Sequence, residues 1–346
     1  MISADSHIIE PVDLIKKYAR SEVIMPKLVS NFDQSEGYLI DGFKDIIFLR
    51  YLYGNRKLDT KIDWSDIPKA AWNPDARINY QYDKMLDAEV IYPTLGMVLL
   101  KHEDLNYQRS YFDAYNTWLS EFCSTDPKRL IGIAVIPHTT PEEMCKYLEK
   151  VQDLKLPGLL LPASTELGNL KYNIFWEAVA NLRLPVSFHT HTSYSTCIPN
   201  IEPKISSYLS APREIQNVLF SLIFSGILEK YPNLKIVLSE SDIGWVPYVI
   251  NKMDYMFTTR QEIPYNIQVL PSIIMERQVY HTWLNERIHS NILNNYNKNI
   301  MYSNDYPHPD SNNLTKHQVL EKFLIEVDSN HRENILVNNC RELYGF

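Results

Sequence analysis

The chain has 346 residues, of which 45% are hydrophobic and 22% are charged, with a formal net charge of -8. This length and apolar content can form a large buried core, so we expect a globular protein. The acidic balance and the absence of a basic run argue against nucleic acid or a membrane surface as the main partner, and favour a small-molecule substrate.

The cysteines predict no cross-linked framework. They are widely spaced and form no C-x-x-C pair, which argues against both disulfides and a zinc knuckle: Cys123, Cys145, Cys197 and Cys340. No basic and apolar leader precedes Asp5, and the longest apolar run, residues 218–224, is too short to cross a bilayer. We therefore expect a reduced, cytoplasmic protein.

The chain begins with a short apolar strand, residues 2–6, that leads directly into Asp5, His7 and Glu10. Residues 12–79 follow with weak periodicity but many Tyr, Trp and Ile side chains, too apolar for a disordered linker. We interpret 12–79 as an insertion that folds as a lid over the mouth of a site, within a single domain of residues 1–346.

Strand and helix patterns alternate after Tyr80. The predicted helices are 80–87, 106–123, one that opens at Thr140 with Pro at its first position, 173–182, 211–230 and 246–257. The remaining predicted strands are 89–93, 129–137, 158–162, 186–189, 234–240, 278–282 and 300–303. Most of these strands are apolar on both faces, as buried parallel strands are. The pattern predicts an α/β fold of the (β/α)8 TIM-barrel type, and a doubly wound open sheet ranks second because no Gly-rich phosphate turn follows a strand.

Ionisable side chains gather where the predicted strands end. In a barrel, the residues just past the carboxyl ends of the strands meet at one mouth. Six of the ten histidines lie there: His7, His138, His189, His191, His281 and His308. Glu240 and Asp305 occupy the same kind of position.

Four of these side chains have the chemistry of a metal site. Asp5 and His7 are two residues apart on an extended segment and therefore face the same side. With His189 and Asp305 they offer two carboxylates and two imidazoles to one divalent ion, for which we expect Zn2+ first and Mn2+ second. Such an ion would activate a water or polarise a substrate oxygen, and Asp305 could take up the proton.

The other candidates are less specific. Glu240 and His191 are further catalytic candidates, and the substrate-binding candidates are His281, His308 and Glu10. A histidine that only hydrogen-bonds within the core, or a Glu240 that only caps its loop, is the structural alternative.

Longer motifs extend along nearly the whole chain. They are Asp-Ser-His-Ile-Ile-Glu-Pro at 5–11, Tyr-Pro-Thr-Leu-Gly at 92–96, Ala-Tyr-Asn-Thr-Trp-Leu at 114–119, Pro-Lys-Arg-Leu-Ile-Gly at 127–132, Phe-His-Thr at 188–190, Phe-Ser-Gly-Ile-Leu-Glu-Lys-Tyr-Pro at 224–232, Gly-Trp-Val-Pro-Tyr at 244–248 and Ser-Asn-Asp-Tyr-Pro-His-Pro-Asp at 303–310. In these motifs the chain resembles the amidohydrolase-related proteins typified by aminocarboxymuconate-semialdehyde decarboxylase. The resemblance implies a distorted metal-dependent barrel. It matches the metal-ligand positions to Asp5, His7, His189 and Asp305, and matches Asp305 also to the acid that handles protons.

This chain departs from the decarboxylase pattern twice. It has Asp5-Ser6-His7 where the decarboxylase has His-x-His, and Glu240 where the decarboxylase has a catalytic histidine. We therefore expect an amidohydrolase-like enzyme that hydrolyses a small organic substrate through a metal-activated water. The alternative is non-oxidative decarboxylation of a small unsaturated or aromatic acid. A hydratase and a non-catalytic binding barrel are further alternatives.

The sequence also favours a homodimer. Residues 107–112 and 248–257 are richer in Tyr, Phe and Met than a solvated helix needs, as interfaces are. The alternative is that the insertion covers these residues within one chain.

Overall fold

The computed structural model describes residues 1–19, 25–31, 35–54, 60–193, 205–260, 262–284, 286, 292, 297–325 and 327–346. The strands in this part of the chain are β1 (Ile2–His7), β2 (Lys27–Ser30), β3 (Glu36–Leu39), β4 (Ile47–Phe48), β5 (Ala88–Tyr92), β6 (Leu130–Val135), β7 (Gly158–Leu161), β8 (Val186–His189), β9 (Ile236–Ser239), β10 (Val279–Trp283) and β11 (Ile300–Tyr302). Cys123, Cys145 and Cys340 are free, and Cys197 lies outside the described residues.

Eight of these strands form one parallel sheet in the order β1-β5-β6-β7-β8-β9-β10-β11. The sheet nearly closes, because the backbone after β11 returns to β1. The Asp305 amide donates to the Asp5 carbonyl oxygen at 3.0 Å, and the His7 amide donates to the Tyr306 carbonyl oxygen at 2.6 Å. The predicted (β/α)8 barrel and its eight strands are therefore confirmed.

The helices are α1 (Val12–Ile15), α2 (Pro74–Lys84), α3 (Leu95–Leu99), α4 (Leu105–Ser124), α5 (Pro141–Asp153), α6 (Asn173–Leu182), α7 (Ile205–Ser210), α8 (Pro212–Phe224), α9 (Ile227–Lys230), α10 (Val246–Thr259), α11 (Pro271–Gln278), α12 (Lys316–Phe323), α13 (Ser329–Glu333) and α14 (Asn339–Tyr344). Among the described residues, no helix is both long enough and apolar enough to cross a bilayer.

Two predicted helix boundaries were wrong. Helix α2 begins at Pro74 and not at residue 80, because the Asn73 side chain accepts a hydrogen bond from the Ala76 amide and Pro74 fits the first helical position. The predicted helix 211–230 is divided between α8 and α9 at Gly226, whose φ of +85° no continuous helix adopts.

The predicted insertion contains structure of its own. Strands β2, β3 and β4 form an antiparallel sheet. Several hydrogen bonds join the insertion to barrel segments, among them Tyr38 hydroxyl to the Glu10 carbonyl oxygen at 2.9 Å, Gly54 amide to the Pro307 carbonyl oxygen at 3.0 Å, and Ile9 amide to the Ala71 carbonyl oxygen at 3.0 Å. The last six residues of the predicted range belong to α2, which leads into β5.

Register decides which strand residues face the lumen. Paired residues in a parallel sheet point to the same face, and successive residues alternate. His189 pairs with Ser239, whereas Phe188 pairs with Leu238, which in turn pairs with His281. His189 and Ser239 therefore face the lumen, and His281 faces the surrounding helices with Phe188 and Leu238.

Candidate metal centre

Three strand ends deliver four polar side chains to one point inside the barrel. Asp5 and His7 come from β1, His189 ends β8, and Asp305 follows β11 by three residues. All four side chains are at most 2% exposed. The structure thus brings together the four residues that the sequence predicts as metal ligands.

Their spacing is that of atoms around a common ion. His7 Nε2 lies 3.3 Å from Asp5 Oδ1 and 3.2 Å from Asp305 Oδ1, and His189 Nε2 lies 3.5 Å from Asp5 Oδ1. Two bonds of about 2.1 Å that meet at about 90–110° separate two ligand atoms by about 3.0–3.5 Å.

The same atoms have no hydrogen-bond partner although they are buried: Asp5 Oδ1, His7 Nε2, His189 Nε2 and Asp305 Oδ1. A buried polar atom without a partner costs free energy, which coordination of a cation would relieve. The residues therefore fit a divalent ion. A second group that could hold one consists of His7, Asp305 and His308, and it shares two residues with the first four.

The two histidines are aligned from behind by backbone carbonyls. His7 Nδ1 lies 2.9 Å from the Pro93 carbonyl oxygen, and His189 Nδ1 lies 3.0 Å from the Thr190 carbonyl oxygen. Since a carbonyl only accepts, each Nδ1 carries a proton, which leaves Nε2 as the nitrogen that could bind an ion.

The carboxylates and imidazoles perturb each other strongly. Burial opposes charge on Asp305, but His308 and His7 outweigh it and hold the pKa of this carboxyl below its usual range. Burial alone would lower the pKa of His7. The carboxylates of Asp305 and Asp5 together have the larger effect and raise this pKa to about 10. Without an ion the cluster therefore retains a proton that a metal would displace.

A buried ion pair lies beneath the ligands. Arg77 and Glu89 are both fully buried, with Arg77 Nε 2.6 Å from Glu89 Oε2 and Arg77 Nη2 3.2 Å from Glu89 Oε1. Arg77 Nη1 donates to the His7 carbonyl oxygen at 2.9 Å, and Ser6 donates to Glu89 at 3.0 Å. The pair thus holds the backbone of β1 at the candidate ligand His7.

Glu240 and His191 lie at the mouth, as predicted. Both line a cavity of about 200 Å³ that also reaches Asp5 and Asp305. Glu240 Oε2 accepts a hydrogen bond from Thr190 at 2.8 Å and lies 3.5 Å from His189 Nδ1. Burial and the charge of Asp305 raise the pKa of Glu240 to about 7.

Four residues that line this cavity have left-handed backbones, which residues other than Gly rarely adopt: His191 with φ +65°, Glu240 with φ +49°, Asp242 with φ +56° and Asp305 with φ +51°. Such strain is concentrated at functional sites, where it aims side chains that a relaxed turn would direct elsewhere.

The three predicted substrate-binding residues differ in position. His308 lies in the cluster, with Nδ1 3.1 Å from Asp305 Oδ1 and its ring stacked on His7 at 3.9 Å. The Glu10 carboxylate is occupied by the backbone amides of Thr94, Leu95 and Gly96.

His281 lies apart from the other two. The structure does not bring it to the cluster, because its ring points outward toward Trp245, 5.8 Å away. Its neighbour in the strand, Thr282, faces the lumen instead, with Oγ1 3.4 Å from Asp5 Oδ2.

Sequence reasoning missed several hydroxyls and acids of the site. Thr282 also accepts the Glu240 amide at 3.0 Å, and Thr94 Oγ1 lies 2.7 Å from His308 Nε2. The cavity is lined further by Asp242, Glu286 and Asp310, and by no Lys or Arg among its described lining residues. Alternation along β10 could have identified Thr282, since only every second residue faces the lumen.

Known proteins resemble this chain in sequence. A family model described as Amidohydrolase matches residues 64–346. The chain belongs to the amidohydrolase family. One relative, 2-amino-3-carboxymuconate-6-semialdehyde decarboxylase of Dictyostelium discoideum, is 23% identical over 93% of this chain and 89% of its own length. A relative named as a decarboxylase therefore aligns with almost the full length of this chain.

Solved structures share the fold. An amidohydrolase from Mycobacterium avium subsp. paratuberculosis matches with a TM-score of 0.80 and 19% identity, covering 100% of this chain and 97% of that one. A 5-carboxyvanillate decarboxylase of Novosphingobium aromaticivorans, complexed with manganese and 4-hydroxy-3-methoxy-5-nitrobenzoic acid, matches with a TM-score of 0.68 and 16% identity, covering 100% and 96%. The named relatives favour the decarboxylase alternative over hydrolysis, which the sequence ranked first.

Proposed function

We propose that this amidohydrolase-family chain is a metal-dependent decarboxylase of a small unsaturated or aromatic acid, with one divalent ion held by Asp5, His7, His189 and Asp305. The observation that carries the proposal is the set of buried, unpartnered ligand atoms 3.2–3.5 Å apart. The decarboxylase names of the relatives support carboxyl loss over hydrolysis.

Manganese is the proposed ion, ahead of the zinc that the sequence favoured. Two of the four ligands are carboxylates, and oxygen ligands suit Mn2+. A decarboxylase of similar fold is crystallised with manganese.

The proposed reaction moves one proton. The bond between the carboxyl group and the adjacent carbon breaks, CO2 leaves, and the electron pair that stays on this carbon takes up a proton. A bound divalent ion would supply Lewis-acid stabilisation of the negative charge on the substrate. Glu240 is the proposed proton donor, because its carboxyl lines the cavity with 21% of its side chain exposed. Asp305 and His191 orient the substrate beside it.

Product analysis tests the reaction. The Mn2+-loaded protein is incubated in D2O with a panel of hydroxybenzoic and unsaturated acids, and CO2 and deuterium at the former carboxyl carbon are measured. Equal amounts of both would support decarboxylation. Oxygen-18 from water in a product formed without CO2 would establish hydrolysis instead.

Two variants separate binding from proton transfer. Glu240→Gln should keep Mn2+ and lose CO2 release, because the amide retains the size of the side chain but carries no acidic proton. Asp305→Asn should lose both metal and activity. A Glu240→Gln protein with wild-type turnover would remove Glu240 from the reaction.

We also propose that the described part of the insertion acts as a lid. Its bonds to Glu10 and Pro307 hold it against the segments that carry the metal site. Replacing Tyr38 by Phe should raise KM more than it lowers kcat, since it removes a bond that holds the insertion while the proposed ligands stay in place.

A homodimer remains part of the proposal, with a changed interface. Tyr107, Tyr111 and Phe112 are at most 6% exposed, so the prediction that residues 107–112 form an interface was wrong: they belong to the core. On α10, Tyr248 and Tyr255 are 70% and 58% exposed. We expect light scattering to give twice the 40.5 kDa chain mass for the wild-type protein. The variant Tyr248→Glu should give the mass of a single chain.

A further inference from the structure

The turn of residues 93–96, which joins β5 to the first two residues of α3, contacts two of the site's imidazoles. The Pro93 carbonyl oxygen lies 2.9 Å from His7 Nδ1, and Thr94 Oγ1 lies 2.7 Å from His308 Nε2. Thr94 is only 2% exposed, so water does not compete for this contact. The turn therefore reaches both the metal ligand His7 and the neighbour of Asp305.

Glu10 fixes the turn in place. Its carboxylate accepts hydrogen bonds from the amides of Thr94 at 3.2 Å, Leu95 at 2.8 Å and Gly96 at 2.8 Å, and the residue is fully buried. Gly96 allows the turn to fold closely on Pro93, because a Cβ at position 96 would lie 2.8 Å from Pro93 Cβ. Three bonds to one carboxylate leave the turn little freedom.

The Thr94 hydroxyl also fixes the orientation of the His308 ring. With Nε2 2.7 Å from Thr94 Oγ1, the opposite nitrogen, Nδ1, lies 3.1 Å from Asp305 Oδ1. The same ring stacks on His7, with 3.9 Å between the ring centroids. His308 therefore supports both the Asp305 carboxylate and the His7 ring, and loss of the Thr94 hydroxyl would release one end of it.

We propose that Thr94 and Glu10 are positioning residues, which through the turn of residues 93–96 hold His308 against Asp305 and hold His7 with its Nε2 toward the ion. Neither residue touches the ion or the substrate. This assignment rests on the metal site of the proposed function.

Mn2+ alone provides the test, with the free ion measured by electron paramagnetic resonance during titration of the full chain. Thr94→Val keeps the shape of the side chain and removes the hydroxyl. We expect its Kd for Mn2+ to rise about tenfold, the low end of the effect of losing a partner behind a metal ligand, because Thr94 acts on Asp305 through His308. Thr94→Ser, which restores the hydroxyl, should bind within about threefold of wild type by the same reasoning.

A matched control lies on α4. The Thr117 hydroxyl donates to the Asp113 carbonyl oxygen within its own helix at 2.8 Å, so Thr117→Val removes a threonine hydroxyl away from the site and should bind Mn2+ as wild type does. Glu10→Gln is the second variant: its NH2 group would face a backbone N–H, the turn would loosen, and Mn2+ binding should weaken as in Thr94→Val.

The outcomes separate the two proposals. Wild-type Mn2+ affinity in Thr94→Val, or equally weak binding by Thr94→Ser and Thr94→Val, overturns the positioning role and leaves the metal site intact. A wild-type chain that binds no Mn2+ overturns the proposed function and this assignment together. Once a substrate that the wild-type protein converts is known, the positioning role also requires that Thr94→Val lower kcat and leave KM nearly unchanged.

Discussion

Replacing Arg77 by Met should destabilise the protein strongly, because it leaves the Glu89 carboxylate buried without its cation. Both side chains are fully buried and form a bidentate pair. Met keeps most of the length and apolar volume of Arg, so the loss of charge dominates. Removing one partner of a buried ion pair costs about 3–5 kcal/mol, a large part of a typical free energy of unfolding of about 5–15 kcal/mol.

Urea denaturation measures this cost. With a slope of about 3 kcal/mol per M, the midpoint should fall by about 1–1.7 M. EDTA in the buffer keeps metal binding out of the comparison. Arg109 is the matched control, because it also forms a bidentate pair, with Glu143 at 2.6 and 2.9 Å, but the two side chains are 33% and 30% exposed. Arg109→Met should cost at most about 1 kcal/mol.

The double variant Arg77→Met with Glu89→Gln decides whether charge is the cause. The amide introduced by Glu89→Gln is neutral and could still accept a hydrogen bond from Gln81 or Ser6, which now donate to Glu89 at 3.0 Å each. We expect the double variant to recover at least about 2 kcal/mol of the loss, since the unpaired charge is gone. Equal midpoints for the single and double variants would refute the reasoning, as would a loss below about 1 kcal/mol for Arg77→Met.

Three further predictions concern the site. His189→Ala should lose Mn2+, measured by elemental analysis after gel filtration, while its circular dichroism stays native; retained metal would remove His189 from the ligand set. Mn2+ binding should weaken as pH falls. Burial lowers the pKa of His7, but Asp305 and Asp5 outweigh burial and raise this pKa to about 10, so below that pH the ion must displace a proton. A pH-independent Kd for Mn2+ would contradict this prediction. Asp242→Asn and Asp310→Asn should each raise kcat/KM for acidic substrates about twofold to fivefold at low salt, and a gain that persists at about 1 M salt would exclude a charge effect.

The barrel was predictable because each buried parallel strand is a short apolar run bounded by turn residues. Residues 158–162 and 186–189 stand out in this way, and both strands are present. The antiparallel sheet of the insertion was missed. Its strands are at most four residues long and mostly half-exposed, so neither apolar runs nor strict alternation identifies them.

The position of the four proposed ligands inside the barrel was predictable for a related reason: a polar residue at the end of an apolar strand has few structural explanations. His281 meets the same description and yet points outward. Its register with Leu238 decides the direction, and register depends on which residues pair across the sheet, a property of the whole barrel. No sequence pattern of this kind identified Thr94, because threonine is common in turns. Its proposed role depends on its contact with His308, which lies more than two hundred residues away in the chain.

The proposed support of the metal and the proposed choice of substrate lie in different parts of this chain. Strand β1, the Arg77 pair and the turn that Glu10 holds lie behind the proposed ligands, all within the barrel frame. The acids of the mouth, among them Asp242 and Asp310, follow the strands on loops. Loops change with little effect on the frame that carries them. Charge changes at the mouth should therefore alter which acids are accepted and leave Mn2+ affinity unchanged, whereas changes behind the ligands should do the reverse.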